Sequence, residues 1–237
     1  MARFAELYDK LKNVDPKLTF MDSTFTDYDE LLFSTKTKHA MEFLSFFMQS
    51  YMCIQLEAFE PECKFKIDRW YKSGDSGGGV SCILQNGKVI EKGGVNVSVI
   101  TGDLSNENAA QMRSRGYKIT NFNSKFNAVG VSSVIHPVNP HSPTLHFNFR
   151  YFEIEPQSDS ENHIFWFGGG CDLTPNYIYK EDIVHFHQTL KNVCDKHNPS
   201  YYLDFKKWAD DYFYIPHREE RRGIGGIFFD DLTGDDP

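Results

Sequence analysis

Between Leu145 and Phe152, the polar residues His146, Asn148 and Arg150 alternate with Leu145, Phe147, Phe149 and Tyr151. A period of two is that of a β-strand, so the polar three share one face with Phe152 and the apolar four share the other. A titratable ring, an amide and a guanidinium are costly to bury without partners. They suit a strand floor that faces a polar, anionic ligand. The competing reading is a strand side turned to solvent. Asp172 follows three glycines and a cysteine in FGGGCDLTP (167–175). A carboxylate at a strand exit, beside open glycine backbone, suits a ligand contact or a cap on the next turn. Arg218, Arg221 and Arg222 stand beside Gly223, Gly225 and Gly226. Their guanidinium forks suit bidentate binding of carboxylates, or ion pairs with the neighbouring Glu219 and Glu220.

Ser132, His136 and His141 lie just upstream of the polar strand. His185 and His187 are two apart on an expected helix and do not share a face. His136, His146, His187 and His217 could form a metal site, yet their spacing fits neither H-E-x-x-H nor a facial triad. Hydrogen-bonded or exposed histidines are the plainer alternative. The glycine-rich loops match neither a P-loop nor a dinucleotide fingerprint. No nucleophile elbow is visible. The 25 Lys and Arg stand against 33 Asp and Glu, for a net charge of −8. Nucleic-acid binding is therefore not expected, and an anionic ligand would need a local basic lining. Five scattered cysteines without C-x-x-C spacing read as reduced thiols rather than a disulfide frame or a zinc site.

The elements that must position these residues follow from periodicity. Lys36–Phe59 contains no Gly or Pro, and Met41, Leu44, Met48, Tyr51, Met52 and Leu56 recur at helical steps. Their stripe is the expected core face, and Pro61 ends the helix. Val80–Leu84 and Lys88–Lys92 flank Asn86-Gly87, which predicts a two-residue type I′ hairpin. Gly93-Gly94 is expected to separate a further strand, Val95–Ile100. Residues 103–126 read as irregular, and Val131–Ile135 as a strand. His163–Phe167 reads as a strand ended by Gly168-Gly169-Gly170. Helices are expected around Ile183–Val193 and over Tyr201–Tyr214. The apolar run around Phe43–Ile54 is too short and too polar to span a membrane. The acidic N-terminal residues Glu6, Asp9 and Asp15 do not suit a presequence. A cytoplasmic protein is the expectation, with the mitochondrial intermembrane space as the alternative.

Taken together, GVNVSVITG, GVSSVIHPVNPHSPTLHFNFRYF, WFGGGCDLTPNY and KKWADDYFYIPHREERRGIGGIFFDDL resemble the oxygen-dependent coproporphyrinogen-III oxidases of haem biosynthesis. The resemblance runs from about Ala40 to Leu232. It implies oxidative decarboxylation of two propionates of coproporphyrinogen III to vinyls, giving protoporphyrinogen IX. Molecular oxygen is the co-substrate, with no organic cofactor. It implies an α+β fold, a broad antiparallel sheet with helices on both faces, and a homodimer. Residues 1–35 would be an N-terminal extension and 36–237 the oxidase-like domain.

Position by position, the resemblance makes Ser132, Asn148, Phe149 and Arg150 substrate contacts, His146 the proton donor, and Asp172 a carboxylate facing the pyrrole N–H groups. It makes His136, His146, His187 and His217 the divalent-metal ligands of parts of the family. Arg150, Arg218, Arg221 and Arg222 suit the propionates, and the many Phe and Tyr residues suit the macrocycle. The family pattern also continues past Pro237. A helical segment and a hairpin there carry a Gly-Gly-Arg substrate contact and much of the dimer contact. Without them, an unpaired sheet edge is expected. Two other functions compete: a non-catalytic porphyrinogen- or haem-binding homologue, and a metal-dependent hydrolase built on the histidines.

Overall fold

The computed structural model describes residues 24–74, 76–114, 116–117, 119, 124–155 and 163–233. Two helices, α1 (Tyr28–Phe33) and α2 (Thr37–Phe59), precede the strands β1 (Lys66–Tyr71), β2 (Gly77–Gln85) and β3 (Ile90–Asp103). Helix α3 (Asn106–Ser114) leads into β4 (Lys125–Pro137), β5 (Thr144–Ile154) and β6 (Ile164–Thr174). Then come α4 (Lys180–Cys194), α5 (Tyr201–Tyr212), the short pair β7 (Tyr214–Ile215) and β8 (Glu220–Arg221), and β9 (Gly226–Leu232). The main sheet has seven strands in the order β1-β2-β3-β4-β5-β6-β9. Every pairing is antiparallel. The fold is α+β.

Cross-strand partners share a face, so the register sorts the sheet into two surfaces. One row runs Val80–Val97–Val131–Phe149–Gly169–Phe229. It belongs to the apolar face. There Val80, Cys82, Leu84, Val95, Phe147 and Ile227 are buried with Phe43, Phe46 and Cys53 of α2, and Phe186, Leu190, Tyr201 and Phe205 of α4 and α5 pack against them. The next row runs Ser81–Asn96–Ser132–Asn148–Gly170–Phe228 and belongs to the opposite, polar face. Helix α3 covers one end of that face, with Ala109 and Met112 packing beside Ile154 and Trp166. Helices thus flank both faces.

Several expectations change. Helix α2 centres its inward face beside the expected stripe: the fully buried residues are His39, Glu42, Phe43, Ser45, Phe46, Gln49, Ser50 and Cys53, while Met48, Met52 and Leu56 pack half-buried against the same core and Tyr51 is exposed. Gln49 Nε2 donates to Val80 O at 2.7 Å and Val95 O at 2.8 Å, which pins the helix to the sheet. The β2–β3 turn is not type I′, since Asn86 alone of Asn86-Gly87 has positive φ. It is a longer loop clamped by the Glu60 carboxylate, which accepts from the backbone N–H groups of Lys88, Val89 and Ile90. Strand β3 continues through Gly93-Gly94, and β6 continues through Gly168–Gly170 to Thr174. The segment read as irregular contains α3. Residues 1–23 of the expected extension lie outside the described residues. Those from Thr24 on dock onto the domain, with Phe25 N and Thr26 N donating to Glu42 Oε1.

Candidate active site

The polar face carries the candidate residues in adjacent rows. The first runs Gly94–Val134–His146–Asp172–Gly226. The second is the Asn96–Ser132–Asn148–Gly170 row described above. The third runs Gly79–Ser98–Gly130–Arg150–Gly168. Glycine at so many floor positions leaves space above the strands rather than side chains. A cleft of about 420 Å³ opens there, lined by Asn96, Ser98, Ser132, Asn148, Arg150 and Asp230. Phe152 and Trp166, stacked at 4.4 Å, wall its end. A larger hollow of about 530 Å³ near Lys38, His39 and Glu42 contains none of the candidate residues.

One row beyond the cleft, Asp172 is the hub of a charged cluster. His146 Nδ1 lies 2.7 Å from Asp172 Oδ1. Arg222 donates from Nε to Oδ2 at 2.8 Å and from Nη2 to Oδ1 at 2.7 Å. The pair is bidentate, the strong geometry for guanidinium and carboxylate. Phe213, which follows α5, carries the Arg222 guanidinium 4.1 Å above its ring and meets His146 edge-on at 6.1 Å. Burial works to raise the Asp172 pKa, but the hydrogen bonds from His146 and Arg222 outweigh it and hold the carboxyl below its ordinary value. With Nδ1 turned to Asp172, the His146 ring has Nε2 left for another partner.

Arg150 Nη1 donates to Asn148 Oδ1 at 3.0 Å, and its Nη2 lies 3.1 Å from Asp230 Oδ1. A titratable ring, an amide and a partly exposed guanidinium on one floor can hold a carboxylate and move a proton beside it.

The sequence profile of the family described as coproporphyrinogen III oxidase matches residues 40–237. The chain belongs to this family. It is 54% identical over 219 residues to the mitochondrial oxygen-dependent coproporphyrinogen-III oxidase of Rattus norvegicus, covering 90% of this chain and 48% of that protein. The mitochondrial enzyme of Homo sapiens is 55% identical over 219 residues, covering 90% and 47%. The chloroplastic coproporphyrinogen-III oxidase 1 of Arabidopsis thaliana is 52% identical over 187 residues, covering 78% and 48%. The chain spans about half the length of these relatives. Among the described residues no helix is long and apolar enough to cross a membrane.

Measured against the family-implied set, the structure gathers some residues and disperses others. Ser132, Asn148 and Arg150 share the cleft, and His146 lies on the same face. The Phe149 side chain does not: its place in the strand turns it to the apolar side, 6.0 Å from Phe147 and 6.5 Å from Phe229. Asp172 is 1% exposed and has both oxygens engaged, so it is not the open acceptor expected for pyrrole N–H groups. Nor does it cap a turn, because it lies inside β6.

The three arginines also separate. Arg222 turns to Asp172, Arg218 Nε pairs with Glu220 at 2.9 Å, and Arg221 Nε reaches Asp210 O at 3.3 Å. The four histidines do not converge either. His136 contacts Thr144 Oγ1 at 3.3 Å, and His217 is exposed in the turn Pro216–Arg218. His187 commits Nε2 to Ile224 O at 3.0 Å and Nδ1 to Tyr202 Oη at 3.1 Å. Among the described residues no three His, Cys, Asp or Glu side chains form a metal-holding group. This donor set does not fit one ion. Sequence reasoning passed over Asn96, Ser98 and Asp230. The alternation Asn96-Val97-Ser98-Val99 carried the same signal as the His146 strand.

Proposed function

We propose that this chain carries the substrate cleft of an oxygen-dependent coproporphyrinogen-III oxidase. The observation that supports it most is the polar floor of Ser132, Asn148 and Arg150, with His146 one row away, on one face of the sheet. Each of two propionates loses its carboxylate as carbon dioxide and a hydride equivalent from the β-carbon, which leaves a vinyl group. That hydride equivalent and one proton reduce molecular oxygen to hydrogen peroxide, so the step balances without an organic cofactor. Arg150 binds a propionate, and its planar fork matches the two carboxylate oxygens. His146 handles the proton through Nε2, with Asp172 fixing the ring and Arg222 neutralising Asp172. A homodimeric, cytoplasmic form belongs to the same proposal. Because the relatives bear mitochondrial and chloroplastic names, cell fractionation discriminates the compartment. The reaction is tested by mixing anaerobically prepared coproporphyrinogen III with oxygen and detecting product by fluorescence after oxidation. Formation of protoporphyrin that requires oxygen supports the reading; its absence at high protein concentration rejects it for this chain.

A further inference from the structure

Asp230 sits on β9, two strands away from Arg150, and reaches it across β6. Two backbone features allow the contact. The β6 residue opposite Arg150 is Gly168. A Cβ there would lie 2.4 Å from Asp230 Oδ1 and 2.8 Å from Arg150 Nε, so a side chain at 168 would separate the pair. On β9 the register shifts: Gly169 faces Phe229 while Phe167 faces Leu232, which leaves Asp230 and Asp231 together opposite Gly168. The extra residue is a bulge, with Asp231 at φ 52°, and bulges re-aim the side chains beside them. Tyr117 Oη donates to Asp231 Oδ1 at 2.9 Å and holds the bulge from the α3 side.

Arg150 is therefore held from two directions, by a hydrogen bond to Asn148 on its own strand and by an ion pair with Asp230 from across the sheet. Its side chain keeps 37% exposure and lines the cleft. We propose that Asp230 is a positioning residue, which fixes the Arg150 guanidinium so that its N–H donors meet a ligand carboxylate. A guanidinium ordered before the ligand arrives does not lose its rotamer freedom on binding. The inference rests on the carboxylate-binding reading of the cleft.

The test is a fluorescence titration with coproporphyrin III, the stable aromatic tetracarboxylate, and with its tetramethyl ester. Asp230→Ala weakens binding of the acid about tenfold, the loss of one charge-assisted contact, whereas Asp230→Asn, which keeps an oxygen beside Arg150, stays within about threefold. In an Arg150→Ala background, Asp230→Ala has no further effect. Where Asp230→Ala does not fold, Asp230→Ser, too short to reach the guanidinium, replaces it. Binding that is unchanged or tightened in Asp230→Ala rejects the positioning role, as does an equal loss in the Arg150→Ala background. If the parent protein ignores the acid, or binds the ester equally well, the carboxylate reading of the cleft falls first and this inference with it. Selective binding by the parent, unaltered by Asp230→Ala, removes the Asp230 role alone.

Discussion

The two faces of one sheet are built from alternate residues of the same strands, yet they do different work. The apolar face buries valines, cysteines and aromatics under α2, α4 and α5. Among the described residues, the polar face keeps a cleft over its floor of Asn, Ser, Arg and Gly, between α3 and Phe213. Burial of apolar area stabilises the domain. The polar floor contributes little of that term, and its groups answer to hydrogen bonding and charge instead. Side-chain substitutions should therefore separate cleanly: those on the apolar face move stability, and those on the polar floor move binding and turnover.

The largest effect is expected from Phe46→Ala, because Phe46 is fully buried between α2 and the sheet. It should lower unfolding free energy by about 3–5 kcal/mol in urea titration, a transfer loss plus a cavity. Ligand affinity of the folded fraction should stay that of the parent. Asp172→Asn comes next and tests the charged cluster on the polar face. The amide keeps the volume but leaves Arg222 without its counter-charge and removes the carboxylate that holds His146. Turnover should fall by about a hundredfold or more, the scale of a lost acid–base group. A variant that turns over normally would detach Asp172 from the chemistry.

Arg150→Lys sharpens the comparison at the polar floor. A lysine keeps the charge but not the fork. Substrate affinity should drop by about tenfold while the urea midpoint changes little, as for most partly exposed positions. A shifted midpoint with unchanged affinity would make Arg150 structural.

The smallest effect is expected at Glu60, and acid abolishes it. Burial works to raise the Glu60 pKa, but its hydrogen bonds from Val89, Ile90, Lys88 and Glu62 prevail and bring it to about 2. A carboxyl lower in the folded than in the unfolded chain stabilises the fold above its ordinary pKa of 4.5, and that contribution is lost as pH falls toward 2. Denaturation midpoints of parent and Glu60→Gln should therefore differ most above about pH 4.5 and converge as pH falls from there toward 2. A constant gap across that range would remove the clamp from the acid response.

Much of this was written in local pattern. The alternation of residues 145–152 has period two, and period two alone decides which side chains share a face. His146, Asn148 and Arg150 could thus be placed together before any partner strand was known, and the same rule already set Phe149 apart from them. The Gly- and Pro-free run 36–59 marked α2 for a comparably local reason.

Which face of α2 turned inward was a tertiary outcome. The helix lies against β-strand backbone, where Gln49 finds two carbonyls and Phe43 and Phe46 enter the core, so Met48, Met52 and Leu56 of the expected stripe pack half-buried at its margin. The glycine run 168–170 read as a strand end, because glycine is a poor strand former in isolation. Register with β5 and β9 makes it a floor instead, with Gly168 leaving room for Arg150 and Asp230 to meet. The pairings Asp172–Arg222, Arg150–Asp230 and Glu60 with the 88–90 backbone span 50, 80 and about 30 residues of chain. Composition and motif locate such charges along the sequence, but only strand order and register decide which of them meet.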